Sequence, residues 1–208
     1  MNTKRNKSRI SKKAIFISVL ALIILTSVLI IAAKSADVID FLQIGKNDKK
    51  AFENKNVVAE VNDVKIHEYE ISMYFSLNEE EQKKAIDRAA ALYLIYDYAL
   101  KKGFTVSDME VQSQLKLEEE WIQEATNKEI FYDYIAGLDM TASEYLQSQY
   151  NVRRNEMMAQ KLYESIKAEI SKASPDISAD DLKKSTDDRL SQLKSQLMKN
   201  AVIKYYNN

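Results

Sequence analysis

Apolar and polar positions divide the chain into one long apolar run, a polar stretch and a series of amphipathic segments. Residues 14–33 are broken only by Ser18, Thr26 and Ser27. Coiled as a helix, that run spans about 30 Å, the thickness of a bilayer's hydrocarbon core. Residues 34–55 are polar and lysine-rich, with one apolar patch at Phe41, Leu42 and Ile44, and read as a stalk. Val57-Val58-Ala59-Glu60-Val61 is short and β-branched. Asn62-Asp63 is a turn pair after it, and Val64-Lys65-Ile66 continues the strand.

Helix punctuation then repeats. Ser107-Asp108-Met109-Glu110 and Thr141-Ala142-Ser143-Glu144 are capping boxes, in which a hydroxyl accepts from the third amide and the carboxylate reaches back. His67 with Glu70, Asn78-Glu79-Glu80-Glu81 and Ser178 with Asp181 are weaker starts. Lys101-Lys102-Gly103 closes one helix, with cations at its negative end and a glycine beyond it, and Gly137 closes another. Pro175 sits in a polar linker, 171–178. Ile86, Ala89, Tyr93, Tyr96 and Leu100 recur at helical steps. Tyr145, Val152, Ala159 and Ile166 fall seven apart, with Leu162 between them, giving a seam on one long helix over 142–170. That seam serves either dimerisation or packing against the helix over 79–102, the second being the simpler use. Leu190, Leu193 and Leu197 mark the last helix, and residues 202–206 form a second strand. Two isolated strands are unstable alone, so Val57–Val61 is predicted to pair with 202–206. The fold class is mainly α: a transmembrane helix, then a helical domain closed by a small two-stranded pairing of its first and last strands.

Charge sharpens the picture at the N-terminus. Six cations and no acid occupy residues 1–13, leaving 24 basic and 31 acidic groups in 34–208, a net of −7. The basic tail places the N-terminus in the cytoplasm and the rest outside a cell membrane crossed once. A cleaved signal peptide, with a secreted product, is the rival reading. Its apolar core runs about 7–15 residues, so the longer run favours an anchor. The divisions are then a basic tail (1–13), a membrane helix (14–33), a stalk (34–55) and a helical domain (56–208). An acidic body argues against nucleic acid, which needs clustered Lys and Arg. Three glycines and one proline exclude phosphate-cradling loops and many-turned β folds. With no cysteine and one histidine, the chain lacks thiol catalysis and paired-imidazole sites. No cofactor or metal is expected. Glu79-Glu80-Glu81 and Glu118-Glu119-Glu120 fan around their helices and read as solvated faces, and His67 as a surface or cap residue.

The order of phrases resembles the SurA/PrsA family of extracytoplasmic folding factors. The phrase Val58-Ala59-Glu60-Val61-Asn62-Asp63-Val64-Lys65-Ile66 is similar to the family's opening strand and turn, with Asp63 in place of the usual glycine. Lys101-Lys102-Gly103 and Val106-Ser107-Asp108-Met109-Glu110-Val111 resemble its second phrase. Gly137, Thr141 and Tyr145, then Arg153 or Arg154 and Lys161-Leu162, resemble its third. Leu193 through Ala201-Val202-Ile203-Lys204 resembles the closing helix and strand. The likeness covers about residues 56–208. It implies a chaperone domain that binds unfolded or secreted polypeptides. Many members carry a parvulin prolyl-isomerase insert before the last helix; here only 171–178 fills that interval, so no catalysis is implied. PrsA-type members carry a lipidated cysteine, which this chain replaces with its apolar run.

Candidate polypeptide-binding residues are Tyr93, Tyr96, Trp121, Phe131, Tyr134, Tyr145, Met157 and Met158. Tyrosine offers an apolar ring with a polar end, and methionine adapts its shape to varied partners. The plainer reading makes them core. Two functions follow: a general holder of non-native chains, or a dedicated adaptor for one envelope protein. No nucleophile–base pair is named by spacing, so an enzyme is not expected.

Overall fold

Three helices of this protein start where its hydroxyl–carboxylate pairs fall. The structure, a computed structural model, describes residues 40–72 and 82–206. In chain order its elements are α1 (Phe41–Asn54), β1 (Val57–Val61), β2 (Val64–His67), α2 (Gln82–Lys101), α3 (Asp108–Glu124), α4 (Lys128–Gly137), α5 (Ala142–Ser148), α6 (Tyr150–Ala173), α7 (Ala179–Asn200) and β3 (Ile203–Tyr205). A helical turn at 68–72 follows β2. No helix among the described residues is long and apolar enough to cross a membrane. The apolar run 14–33, the basic tail and the Asn78–Glu81 start signal lie outside the described residues.

Both capping boxes form. Ser107 and Thr141 accept from the amides of Glu110 and Glu144, and each carboxylate returns a bond to the cap's own amide at 2.8 Å. Glu110 also takes Lys161 Nζ at 2.6 Å, joining α3 to α6. Lys161 first, then Ser107, holds the Glu110 carboxyl down at about 2. A depressed carboxyl stabilises the fold above its unfolded pKa and loses that contribution as pH falls through the folded value. The Tm difference between wild type and Glu110→Gln should therefore be largest near neutral pH and close as pH approaches about 2. A difference constant across that range would contradict it.

Gly103 closes α2 at φ +85°, with the Phe104 amide bonding back to the Ala99 carbonyl at 3.1 Å. Gly137 closes α4 as expected and also plays a second part. It is the last residue of α4 and packs against Gly45 of α1. A Cβ on Gly45 would meet the Tyr134 carbonyl oxygen at 2.1 Å, and one on Gly137 would meet the Leu42 carbonyl oxygen at 2.3 Å. The two backbones touch because neither residue has a side chain. The left-handed residue after α4 is Asp139, at φ +57°. Its carboxylate pairs with Lys49 of α1.

The stalk expected over 34–55 is therefore corrected. Residues 41–54 are a helix of the domain, capped by Asp40, whose carboxylate accepts from the Gln43 amide at 2.9 Å. Phe52 enters the helical core, and the compact unit begins at Asp40. The lysines made this segment look solvated, yet they fall on one face, while Gly45, Asp48, Ala51 and Phe52 are buried.

The sheet has three strands, in the order β2-β1-β3, all antiparallel. The predicted pairing of first and last strands forms, with Val61 opposite Ile203 and Ala59 opposite Tyr205. The two-stranded expectation is corrected by β2. Asn62 and Asp63 both take positive φ (44° and 69°), the geometry of a two-residue hairpin turn, so Val64–His67 folds back instead of continuing β1. Val58, Val61, Ile66 and Ile71 bury the sheet's inner side against Ile86 and Leu94 of α2. A second, larger core lies among the helices around Ile95, Leu115, Tyr145 and Leu162.

The long helix expected over 142–170 breaks at Gln149 into α5 and α6. The buried face of α6 is Arg153, Asn155, Met158, Leu162 and Ile166, and α6 packs against α2, so the seam is used within the chain.

Candidate functional site

A cleft of about 630 Å³ opens beside the hairpin, bounded by β2, the turn at 68–72, α2 and the first turns of α6. Its volume falls within the range of ligand sites. Three tyrosines (69, 93, 96) line it together with Val61 and Leu94, and its polar residues include Lys65, His67, Lys101, Asn151 and Arg154.

Glu70 organises one wall. It is 5% exposed, and each carboxylate oxygen has a donor: the His67 amide at 2.7 Å on one, the Tyr93 hydroxyl at 2.6 Å on the other. Burial, then the Glu70 charge, raises the Tyr93 pKa, so this phenol stays protonated and keeps donating. The His67 ring sits 2.8 Å from the Lys55 carbonyl through Nδ1, so that nitrogen carries the proton. Its ring stacks on Tyr69, with centroids 5.6 Å apart, and Tyr69 meets Phe52 at 5.8 Å. These groups are engaged with one another along the wall.

The opposite side is held by a clasp. The Tyr150 hydroxyl and Arg154 Nη2 both donate to Asp108 Oδ1, at 2.7 and 2.6 Å, and the guanidinium lies over the Tyr150 ring. Asp97 takes Lys101 Nζ at 2.6 Å. Among the described residues no group of three His, Asp or Glu side chains is placed to hold a metal.

The eight residues proposed from sequence part company. Tyr93 and Tyr96 line the cleft. Tyr134, Tyr145 and Met158 are 2%, 5% and 1% exposed and belong to the core, so they offer nothing to a passing chain. Tyr134 donates to buried Asp48 at 2.9 Å and meets Tyr145 edge-on at 5.9 Å. Phe131 packs edge-on against Tyr145 at 5.5 Å. It is half-buried, as are Met157 and Trp121, and none of the three lines the cleft. Glu118 is corrected too. It is no solvated acid but a buried partner of Arg153, at 2.9 Å, and Arg153 also pairs with Glu156.

Sequence reasoning missed Lys65, Leu94, Lys101 and Arg154 as cleft residues. Glu70 carried a signal, its spacing from His67, and only a folded chain shows that the same carboxylate also takes Tyr93. Comparison with protein-family models, with curated proteins and with solved structures gave no match.

Proposed function

We propose that this chain is a membrane-anchored, extracytoplasmic, chaperone-like protein of the SurA/PrsA kind that lacks the isomerase domain and binds non-native or translocated polypeptide without catalysis. The observation that carries the reading is the cleft. It is a hollow lined by three tyrosines, Val61 and Leu94 beside an edge strand, with Glu70 and the Tyr93 hydroxyl tied into the wall. Such a surface suits shallow exchange of varied segments. The hairpin start, the α2 stop at Gly103, the capped α3 and the closing strand follow the order of the family's phrases. Only residues 174–178 separate α6 from α7, too few for an inserted isomerase. Residues 14–33 serve as the anchor, with 1–13 in the cytoplasm.

A dedicated adaptor for one envelope protein is the second reading. The observation favouring it is the withdrawal of Tyr134, Tyr145 and Met158 into the core, which leaves a small recognition surface. The full chain in lipid nanodiscs, mixed with an unfolding model protein and followed by light scattering, separates the two. A holder suppresses aggregation near equimolar ratio, and Tyr96→Ala weakens the suppression. No suppression by protein shown to be helical would reject general holding, and a crosslinked pull-down yielding one stoichiometric partner would establish the adaptor.

A further inference from the structure

Among the described residues, the edge of the cleft carries hydrogen-bonding and charged groups that the fold leaves open. In the β1–β3 ladder the Asn62 amide bonds the Val202 carbonyl and the Tyr206 amide bonds the Val58 carbonyl. Even-numbered β1 residues thus face β3, and odd-numbered ones face β2. With the two-residue turn, Val61 and Val64 form the closing hydrogen-bonded pair, and Ala59 with Ile66 the next. Lys65, between them, directs its amide and carbonyl away from β1, out of the sheet's edge and on the cleft's side.

The charges follow the same division. The cleft lining holds three cations, Lys65, Lys101 and Arg154, against two carboxylates, Glu70 and Asp97, a net of +1 where residues 34–208 carry −7. Both carboxylates are already occupied, Glu70 by two donors and Asp97 by Lys101. The cations are not all used. The Lys65 ammonium makes no salt bridge among the described residues and feels Glu60 only at longer range. Arg154 Nε is buried and has no hydrogen-bond acceptor, while Nη2 serves Asp108.

We propose that the cleft selects extended polypeptide segments bearing acidic side chains. The segment's backbone pairs with the open amide and carbonyl of Lys65, and a carboxylate meets the Lys65 and Arg154 cations. The inference rests on the polypeptide-binding reading and deepens it, naming the class of segment taken. Strand addition at an edge supplies affinity through the main chain, and side-chain contacts supply the preference.

The test uses the full chain in nanodiscs of zwitterionic lipid, so that bilayer charge plays no part. Short fluorescent peptides share one apolar pattern and carry Glu, Gln or Lys at the polar positions; binding is read by anisotropy. The Glu peptide should bind about fivefold more tightly than the Gln peptide at low salt, as a partly exposed ion pair allows. Salt near 0.5 M should erase the difference. Lys65→Glu should bring the Glu-to-Gln affinity ratio to one or below, and Lys65→Arg should keep it. Equal binding of all three peptides, or preference for Lys, overturns the acidic selection while leaving polypeptide binding intact. Binding of none overturns both.

Discussion

Gly45→Ala should lower the stability of the domain by about 3 kcal/mol, a large effect for adding one methyl to a helix. On propensity alone the change favours α1 by about 1 kcal/mol, so the sign itself is diagnostic. The loss arises because the new carbon would lie 2.1 Å from the Tyr134 carbonyl oxygen and 2.9 Å from Gly137 Cα. Both are backbone atoms, and neither can turn aside. The helices must separate, and the buried hydrogen bond from Tyr134 to Asp48 stretches with them. Gly137→Ala should behave alike, and the double variant should cost little more than either alone, since one displacement relieves both clashes. Gly103→Ala is the comparison. Its site is open and the loss there is conformational, about 1 kcal/mol. Urea unfolding of the four proteins measures all of this. A Gly45→Ala protein as stable as wild type would mean that α1 is not seated on α4 as described.

Arg153→Met should destabilise the fold by about 3–5 kcal/mol at neutral pH. Arg153 stands between Glu118 and Glu156, and the three side chains are 9%, 10% and 14% exposed. Removing the guanidinium leaves two buried carboxylates facing each other. Burial already raises the Glu118 carboxyl above its ordinary range, outweighing the attraction of Arg153 and the bond from Gln114. In the variant that rise grows. A carboxyl whose pKa is raised in the fold binds its proton more tightly there than in the unfolded chain. Stability is then highest below the unfolded carboxylate range and falls as pH rises through the folded value. The variant's deficit should accordingly shrink on mild acidification, opposite in direction to the behaviour of Glu110. Adding Glu118→Gln and Glu156→Gln to Arg153→Met should restore most of the loss at neutral pH, because no buried charge then remains. A deficit that ignores pH would assign the effect to packing alone.

Much of the fold could be read from local chemistry. Ser107, Thr141, Ser178 and Gly103 act within a few residues of themselves, so their consequences are visible in sequence order. The pairing of β1 with β3 followed from an economy argument, that a lone strand finds no ladder. What stayed hidden depended on distant partners. The close packing of Gly137 against Gly45 stayed hidden because the two lie far apart along the chain, and α1 looked like a solvated stalk because its polar residues outnumber its apolar ones. Glu118 looked solvated because two neighbouring glutamates share its character, though only Glu118 turns toward Arg153. The candidate site divided by the same rule. Tyr93, Tyr134, Tyr145 and Met158 are alike as candidates in the sequence, and only the folded packing separates a cleft wall from a core.

The three-stranded sheet has a bearing on how the chain is made. Asn62 bonds to Val202 across 140 residues, and β1 lies between an early hairpin partner and one that follows α7. During synthesis the hairpin and α2 can form early, while one side of β1 stays open until β3 has emerged. Contacts of such long range slow folding, and an open strand edge invites the wrong neighbour in the meantime. A chain halted before β3 would retain most of its helices yet expose a bare template on β1, so residues 203–205 act as the seal on that edge.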